Sequence, residues 1–212
     1  PHYAAKGWRI GGTVRGAGKA ADLAAKGIAA VIFGRDHPLD PSALAGATHI
    51  LSSVPPDDHG DPVLNACGAM MPKGLSWIGY LSTTGVYGDR GGALVDEAAP
   101  VAPGNDRSRR RVAAELSWLE LGRRIGAPVH VFRLAGIYGP GRSALDSVRA
   151  GTARRIEKPG QVFSRIHVDD IAAVLEASIA RPSAGAGCSR PDRCGRACGE
   201  GGRGSGVARG GA

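Results

Sequence analysis

The sequence predicts an α/β protein built on a mainly parallel sheet with helices on both faces. Short apolar runs alternate with helical segments, and glycine, proline or aspartate punctuates the joins. The runs are apolar nearly throughout rather than alternating, as strands covered on both faces require. Ligands of such sheets collect at the carboxyl ends of the strands. The loops after Val14, Val54, Ser82 and Leu134 are therefore the expected functional sites.

The elements follow in order. Residues 4–7 (AAKG) read as the end of a helix, and residues 8–14 (WRIGGTV) as a strand rich in β-formers. A short helix over 20–26 stops at Gly27, and a buried strand over 28–33 follows. Residues 49–54 (HILSSV) form the next strand, broken by Pro55 and Pro56. A helix over 63–71 leads to a strand over 76–82 (SWIGYLS). Asp106 is placed to cap a long helix reaching about Arg124, with Val112, Leu116, Leu119 and Arg123 near one face and Gly126 at the stop. A strand over 129–134 and an apolar helix over 171–180, closed by Pro182, complete the series.

At 212 residues, with 42% hydrophobic and 22% charged residues, the chain is long enough for a sizeable core, and bulk disorder or a disulfide scaffold is a poor description. No apolar run approaches the ~18 residues of a membrane span, and no signal segment opens the chain, so a cytoplasmic protein without membrane contact is expected. The chain enters on Pro1 at what reads as a helix end, which places an earlier strand upstream. Residues 182–212 hold ten of the 34 glycines, five arginines and three of the four cysteines, with no apolar period. This marks 1–182 as the folded domain and 183–212 as a disordered low-complexity tail, with a shifted reading frame in GC-rich DNA as its expected origin.

The net charge of +8 is concentrated in that tail and in Arg107, Arg109, Arg110 and Arg111, without interleaved aromatics, which argues against nucleic acid as the partner. Cys188, Cys194 and Cys198 have no nearby histidine and no C-x-x-C spacing, and Cys67 stands alone, so no metal is expected. Asp57, Asp58, His59 and Asp61 cluster between two prolines and read as a solvated loop.

Gly16-Ala17-Gly18-Lys19-Ala20-Ala21 fits G-x-G-x-x-A after a strand and before a helix. Only about seven residues separate Lys19 from Gly27, roughly two turns at 1.5 Å per residue, too short for the helix that opens a dinucleotide site. The segment fits the second crossover better, with the phosphate-binding glycines upstream of Pro1. Arg15 then stands where the adenosine ribose is met, and a guanidinium there suits a 2′-phosphate, so NADP is expected ahead of NAD.

Four segments in one order carry a family resemblance: 81–89 (LSTTGVYGD), 96–100 (DEAAP), 133–141 (RLAGIYGPG) and 165–172 (RIHVDDIA). Together they resemble the extended or atypical short-chain dehydrogenase/reductase superfamily, nearest its NAD-dependent epimerase/dehydratase branch. The resemblance implies a Rossmann-like doubly wound parallel sheet, here without its first strand, and a small, incomplete substrate lobe. It implies a nicotinamide cofactor contacted by Arg15, Ser53, Val54, Pro55, Arg111, Gly136 and Ile137, a small sugar-derived or anionic substrate near Arg107 and Tyr138, and compatibility with a homodimer.

It also implies a hydroxyl residue after the central strand and a Tyr-x-x-x-Lys pair on the next helix. The tyrosine exchanges a proton with the substrate oxygen while hydride moves at nicotinamide, and the lysine favours tyrosinate. Thr83 fits the orienting position, with a strand-end backbone contact as its alternative role. The pair is absent: Tyr3, Tyr80, Tyr87 and Tyr138 are followed four residues on by Gly7, Thr84, Gly91 and Arg142. Counting back from Glu115 puts Arg107 and Arg111 in the pair's places, and arginine, with a pKa above ~12, cannot act as the acid. Tyr87 and Tyr138 are the candidate donors, each in a Tyr-Gly segment that in the family mostly shapes the loop, and a non-catalytic dinucleotide-binding sensor or remnant is the alternative function. His167, Asp169 and Asp170 read as structural, an aspartate capping the last helix.

Overall fold

A computed structural model describes residues 3–34, 36–154, 157, 160 and 162–182. The tail over 183–212, with its three cysteines, lies outside the described residues.

A 3-10 turn, Ala4–Lys6, opens the chain and ends on Gly7 in the left-handed region at φ +80°, whose N–H donates to the Ala4 carbonyl. The sequence therefore turns out of a helical stop into β1 (Gly11–Val14), crosses through α1 (Ala17–Ala24) and returns as β2 (Ala29–Ile32), parallel to β1. A second block follows: β3 (His49–Ser52), α2 (Pro62–Cys67), β4 (Trp77–Thr83), α3 (Asp106–Ile125) and β5 (Val129–Leu134). Its strands lie in the order β3-β4-β5, all parallel. One residue after β5 comes β6 (Gly136–Tyr138), then α4 (Ala144–Arg149), β7 (Arg165–His167) paired parallel to β6, and α5 (Val168–Ala180).

Two apolar layers hold the three-stranded block. On one face Ile78, Tyr80, Trp118, Leu121 and Val129 pack between the sheet and α2 and α3. On the other, Trp77 and Phe132 pack against Ile171 and Leu175 of α5. At ~1.5–3 kcal/mol per large apolar side chain removed from water, these layers are the main stabilising term. Gly79 is required in β4 because the Trp77 indole lies across the space a Cβ would take.

Several elements differ from the sequence reading. α1 starts at Ala17, directly behind its N-cap Gly16, and is only eight residues long, in keeping with the short crossover inferred from Gly27. Asn105 rather than Asp106 caps α3, its side chain accepting from the Ser108 N–H at 2.9 Å. α5 begins at Val168, so its cap is His167, whose Nδ1 accepts from the Asp169 N–H, and both aspartates lie in the first turn. Asp61 is not solvated. It is buried, accepts from the Val63 and Leu64 N–H groups at the start of α2, and accepts from Trp118 Nε1 at 2.9 Å. Among the described residues there is no cluster of metal-ligating side chains, and no helix is long and apolar enough to cross a membrane.

Candidate functional site at the carboxyl end of the sheet

β4 is the central strand of its block and is buried along most of its length, so its end is held on both sides. There Thr83 turns the chain into a 3-10 turn, Thr84–Tyr87, with its Oγ1 accepting from the Gly85 N–H at 3.1 Å. That bond uses an acceptor position of the hydroxyl and leaves its O–H able to donate. Thr83 thus fills the backbone-satisfying role and keeps a donor at the strand end. Gly88 closes the turn at φ +72°, where a Cβ would collide with the Ala102 carbonyl, and this fixes the loop that carries Tyr87.

Tyr87 is 6% exposed, and its hydroxyl accepts from Arg133 Nη1 at 3.0 Å while the guanidinium carbon sits 5.0 Å from the ring centroid. Arg133, on β5, is held by Glu115 of α3 through Nη2 at 2.8 Å and Nε at 3.2 Å. The Ser82 hydroxyl donates to the other Glu115 oxygen. Burial alone would lower the Arg133 pKa, but its bonds to Glu115 and Tyr87, with the Glu115 charge, together hold it above the ordinary arginine value. The result is a permanently charged guanidinium held against the phenol oxygen of Tyr87.

Arg111, at the lysine place of the resemblance, donates through Nη1 to the Leu81 carbonyl at 2.8 Å and the Tyr80 hydroxyl at 3.2 Å. It braces the underside of β4. Burial pushes the Tyr80 phenol up to about 12 against the opposing influence of Arg111, so Tyr80 stays protonated and structural. Arg107 is exposed in the first turn of α3. Ser108 beside it is buried, and its hydroxyl would lie 3.3 Å from a Cβ at Gly85, so Gly85 permits the turn to meet α3.

The remaining expected residues fall into two other places. Arg15 is exposed at the carboxyl end of β1, immediately before the N-cap of α1, while Ser53 and Val54, followed by Pro55, leave the carboxyl end of β3 and line a cleft of about 1230 Å³. Gly136, Ile137 and Tyr138 form β6: Ile137 packs on the Trp77 and Phe132 layer, and the Tyr138 ring meets His167 edge-on at 5.0 Å. Thr83, Tyr87 and Arg111 thus gather around the end of β4, whereas Tyr138 belongs to the small β6-β7 unit. Sequence reasoning missed Ser82, Glu115 and Arg133. The available signal was an arginine near the end of the mostly apolar VHVFRL strand and a glutamate behind Ala113 and Ala114 on the buried side of α3.

The chain matches no protein-family profile and none of the curated proteins. Among solved structures it is similar to a conserved protein of unknown function from Silicibacter pomeroyi, with 48% identity and a TM-score of 0.75 over 87% of this chain. It spans 64% of the length of that relative. It is also similar to a UDP-glucuronic acid 4-epimerase from Bacillus cereus, solved with NAD, at TM-score 0.66 and 14% identity, over 82% of this chain and 66% of that one. RMD from Pseudomonas aeruginosa, solved with NADPH, gives 0.54 and 18%, over 84% and 76%. The fold is Rossmann-like. At these identities the two enzymes speak for the architecture: parallel strands, interleaved helices and loops gathered at the strand ends.

Proposed function

We propose that this chain is the core of an NAD(P)-dependent oxidoreductase or epimerase/dehydratase-like protein of the short-chain dehydrogenase/reductase kind, acting on a small sugar-derived or anionic substrate. The observation that carries the reading is the placement of Thr83 at the end of the central parallel strand, where it opens the turn that carries Tyr87, whose hydroxyl is bonded to a charged guanidinium. The solved relatives bound to NAD or NADPH supply the cofactor class. Bound nicotinamide would supply hydride transfer. Thr83 orients the substrate oxygen through its O–H, Tyr87 exchanges the proton, and Arg133 positions the phenol oxygen through its Nη1 hydrogen bond, in place of the lysine of the usual pair. Ser53, Val54 and Pro55 on β3, Gly136 and Ile137 on β6, and Arg15 on the 2′-phosphate side would hold the cofactor, and Arg107 and Tyr138 the substrate. A cytoplasmic, dimeric protein belongs to the same proposal.

A second reading is favoured by one observation. Tyr87, the candidate proton donor, is buried with its hydroxyl engaged by Arg133, so this end of the site fits a dinucleotide-binding protein without turnover. Single-turnover oxidation of NADPH with sugar-nucleotide and carboxylate substrate sets separates the two. The catalytic reading expects turnover lost on Tyr87→Phe and Thr83→Val with nucleotide binding kept; nucleotide binding without turnover in the unaltered protein selects the second.

A further inference from the structure

The two faces of the β6-β7 unit differ. Ile137 and Ile166, register partners, turn inward onto the Trp77 and Phe132 layer. The period of two then puts Gly136 and Tyr138 of β6, with Arg165 and His167 of β7, on the opposite face. Phe163, two residues before Arg165, is exposed beside them. This face adjoins the end of the central strand. Leu134, which pairs with Thr83, precedes Gly136 by two residues, and a Cβ at Gly92, in the loop that follows Tyr87, would lie 3.2 Å from Val162.

Arg165 is fixed along its stem and free at its tip. A Cβ at Gly136 would lie 3.2 Å from its Cδ and 3.0 Å from its Nη1, so the side chain runs across the bare backbone of its strand partner. Its guanidinium carbon stands 5.7 Å from the centroid of the Phe163 ring, which is 61% exposed. Stacking on a ring engages the flat face of a guanidinium and leaves the N–H donors at its edge. Among the described residues those donors meet no acceptor. Arg133, Arg111 and Arg90 nearby are spent on Glu115 and Tyr87, on Leu81 and Tyr80, and on the Tyr87 and Pro100 carbonyls. A guanidinium already held in place loses less side-chain freedom when a ligand arrives.

We propose that Arg165 is an oxoanion receptor on the rim of the candidate site, taking a phosphate or carboxylate group of a small molecule through its paired N–H donors. Phe163 holds the guanidinium plane, and Gly136 leaves the room its stem needs. Two parallel N–H groups match two oxygens of either anion. The inference rests on the proposed function only in making that anion part of the substrate.

The test titrates the ¹⁵N-labelled 212-residue protein, without nucleotide and at constant ionic strength, with glucose 1-phosphate, glucuronate and uncharged glucose. NMR follows the Arg165 Nε–H and the Gly136 amide. At least one anion should move both resonances saturably, at concentrations on the order of millimolar, and glucose should not; the anion that binds more tightly names the group. Arg165→Ala, read at the Gly136 amide, should weaken binding about tenfold or more. Phe163→Leu keeps the charge but frees the guanidinium, and should weaken it about two- to fivefold. Gly136→Ala, which displaces the stem, should act in the same direction, while Arg149→Ala, an equal loss of charge on α4, should change nothing. The inference is overturned if neither anion gives a saturable shift, if glucose gives the same shifts, or if Arg149→Ala weakens binding as much as Arg165→Ala. A protein that binds the anion through Arg165 but neither NADPH nor NADH would keep this receptor and discard the nicotinamide reading; nucleotide binding without an anion response would discard the receptor alone.

Discussion

Arg133 of β5 and Glu115 of α3 close on each other with side chains only 11% and 4% exposed, at 2.8 Å. Through this pair the central strand, the long helix and the loop bearing Tyr87 are fixed together, because Glu115 also receives Ser82 and Arg133 also reaches Tyr87. Two charges taken out of water are stable only while both remain.

Removing one partner should therefore be severe. Glu115→Ala is expected to cost about 3–5 kcal/mol of stability by leaving a buried guanidinium uncompensated. Chemical denaturation checks this, and the Glu115→Leu, Arg133→Met double variant should recover a large part of the loss. A loss below about 1 kcal/mol would show that the pair is solvated.

Asp61 caps α2 and receives the Trp118 indole, so two elements depend on one carboxylate. Trp118→Phe keeps the ring but leaves a buried acceptor short of a partner, at about 1–3 kcal/mol. Asp61→Ala, which also removes the cap, should cost more than Trp118→Phe, and thermal melts of the two variants order them.

His130 sits in the core, with Nδ1 3.0 Å from the Ser178 hydroxyl, which also receives the Trp77 indole. Burial pushes its imidazole below the ordinary histidine value, and His49 is lowered in the same way. The unfolded chain then binds the proton first, so between the lowered native values and about 6.5 it holds more protons than the folded chain. Stability should be full above that window and fall as pH drops through it. Melting temperatures at about pH 7.5 and 5.5 should differ in that sense, and His130→Gln should flatten the difference.

Arg15 carries the proposed preference for a 2′-phosphate. In a protein that binds dinucleotide, Arg15→Ala should weaken NADPH about tenfold to a hundredfold while leaving NADH nearly unchanged. Equal losses for both nucleotides would remove Arg15 from that role.

The strands were legible where composition and boundaries agree. Residues 129–134 form β5 residue for residue, because an apolar run lies between the Gly126 stop and an arginine-to-loop exit. The strand read over 8–14 is shorter, since pairing starts at Gly11 against Ala29 and the Trp8 ring packs between Tyr3 and His49. Strands of three residues, β6 and β7, show no periodicity and were invisible. The site was legible only in outline. Thr83 and Tyr87 could be placed by motif, but the Glu115, Arg133 and Ser82 network joins residues far apart in sequence. Asp61 looked like part of an acidic loop until the fold brought Trp118 to it.

The most direct measurement of the central claim is a fluorescence titration of the folded protein with NADPH and NADH. The account predicts saturable NADPH binding at micromolar nucleotide, weakened by Arg15→Ala, whereas no binding of either nucleotide by the folded protein would contradict the nicotinamide assignment.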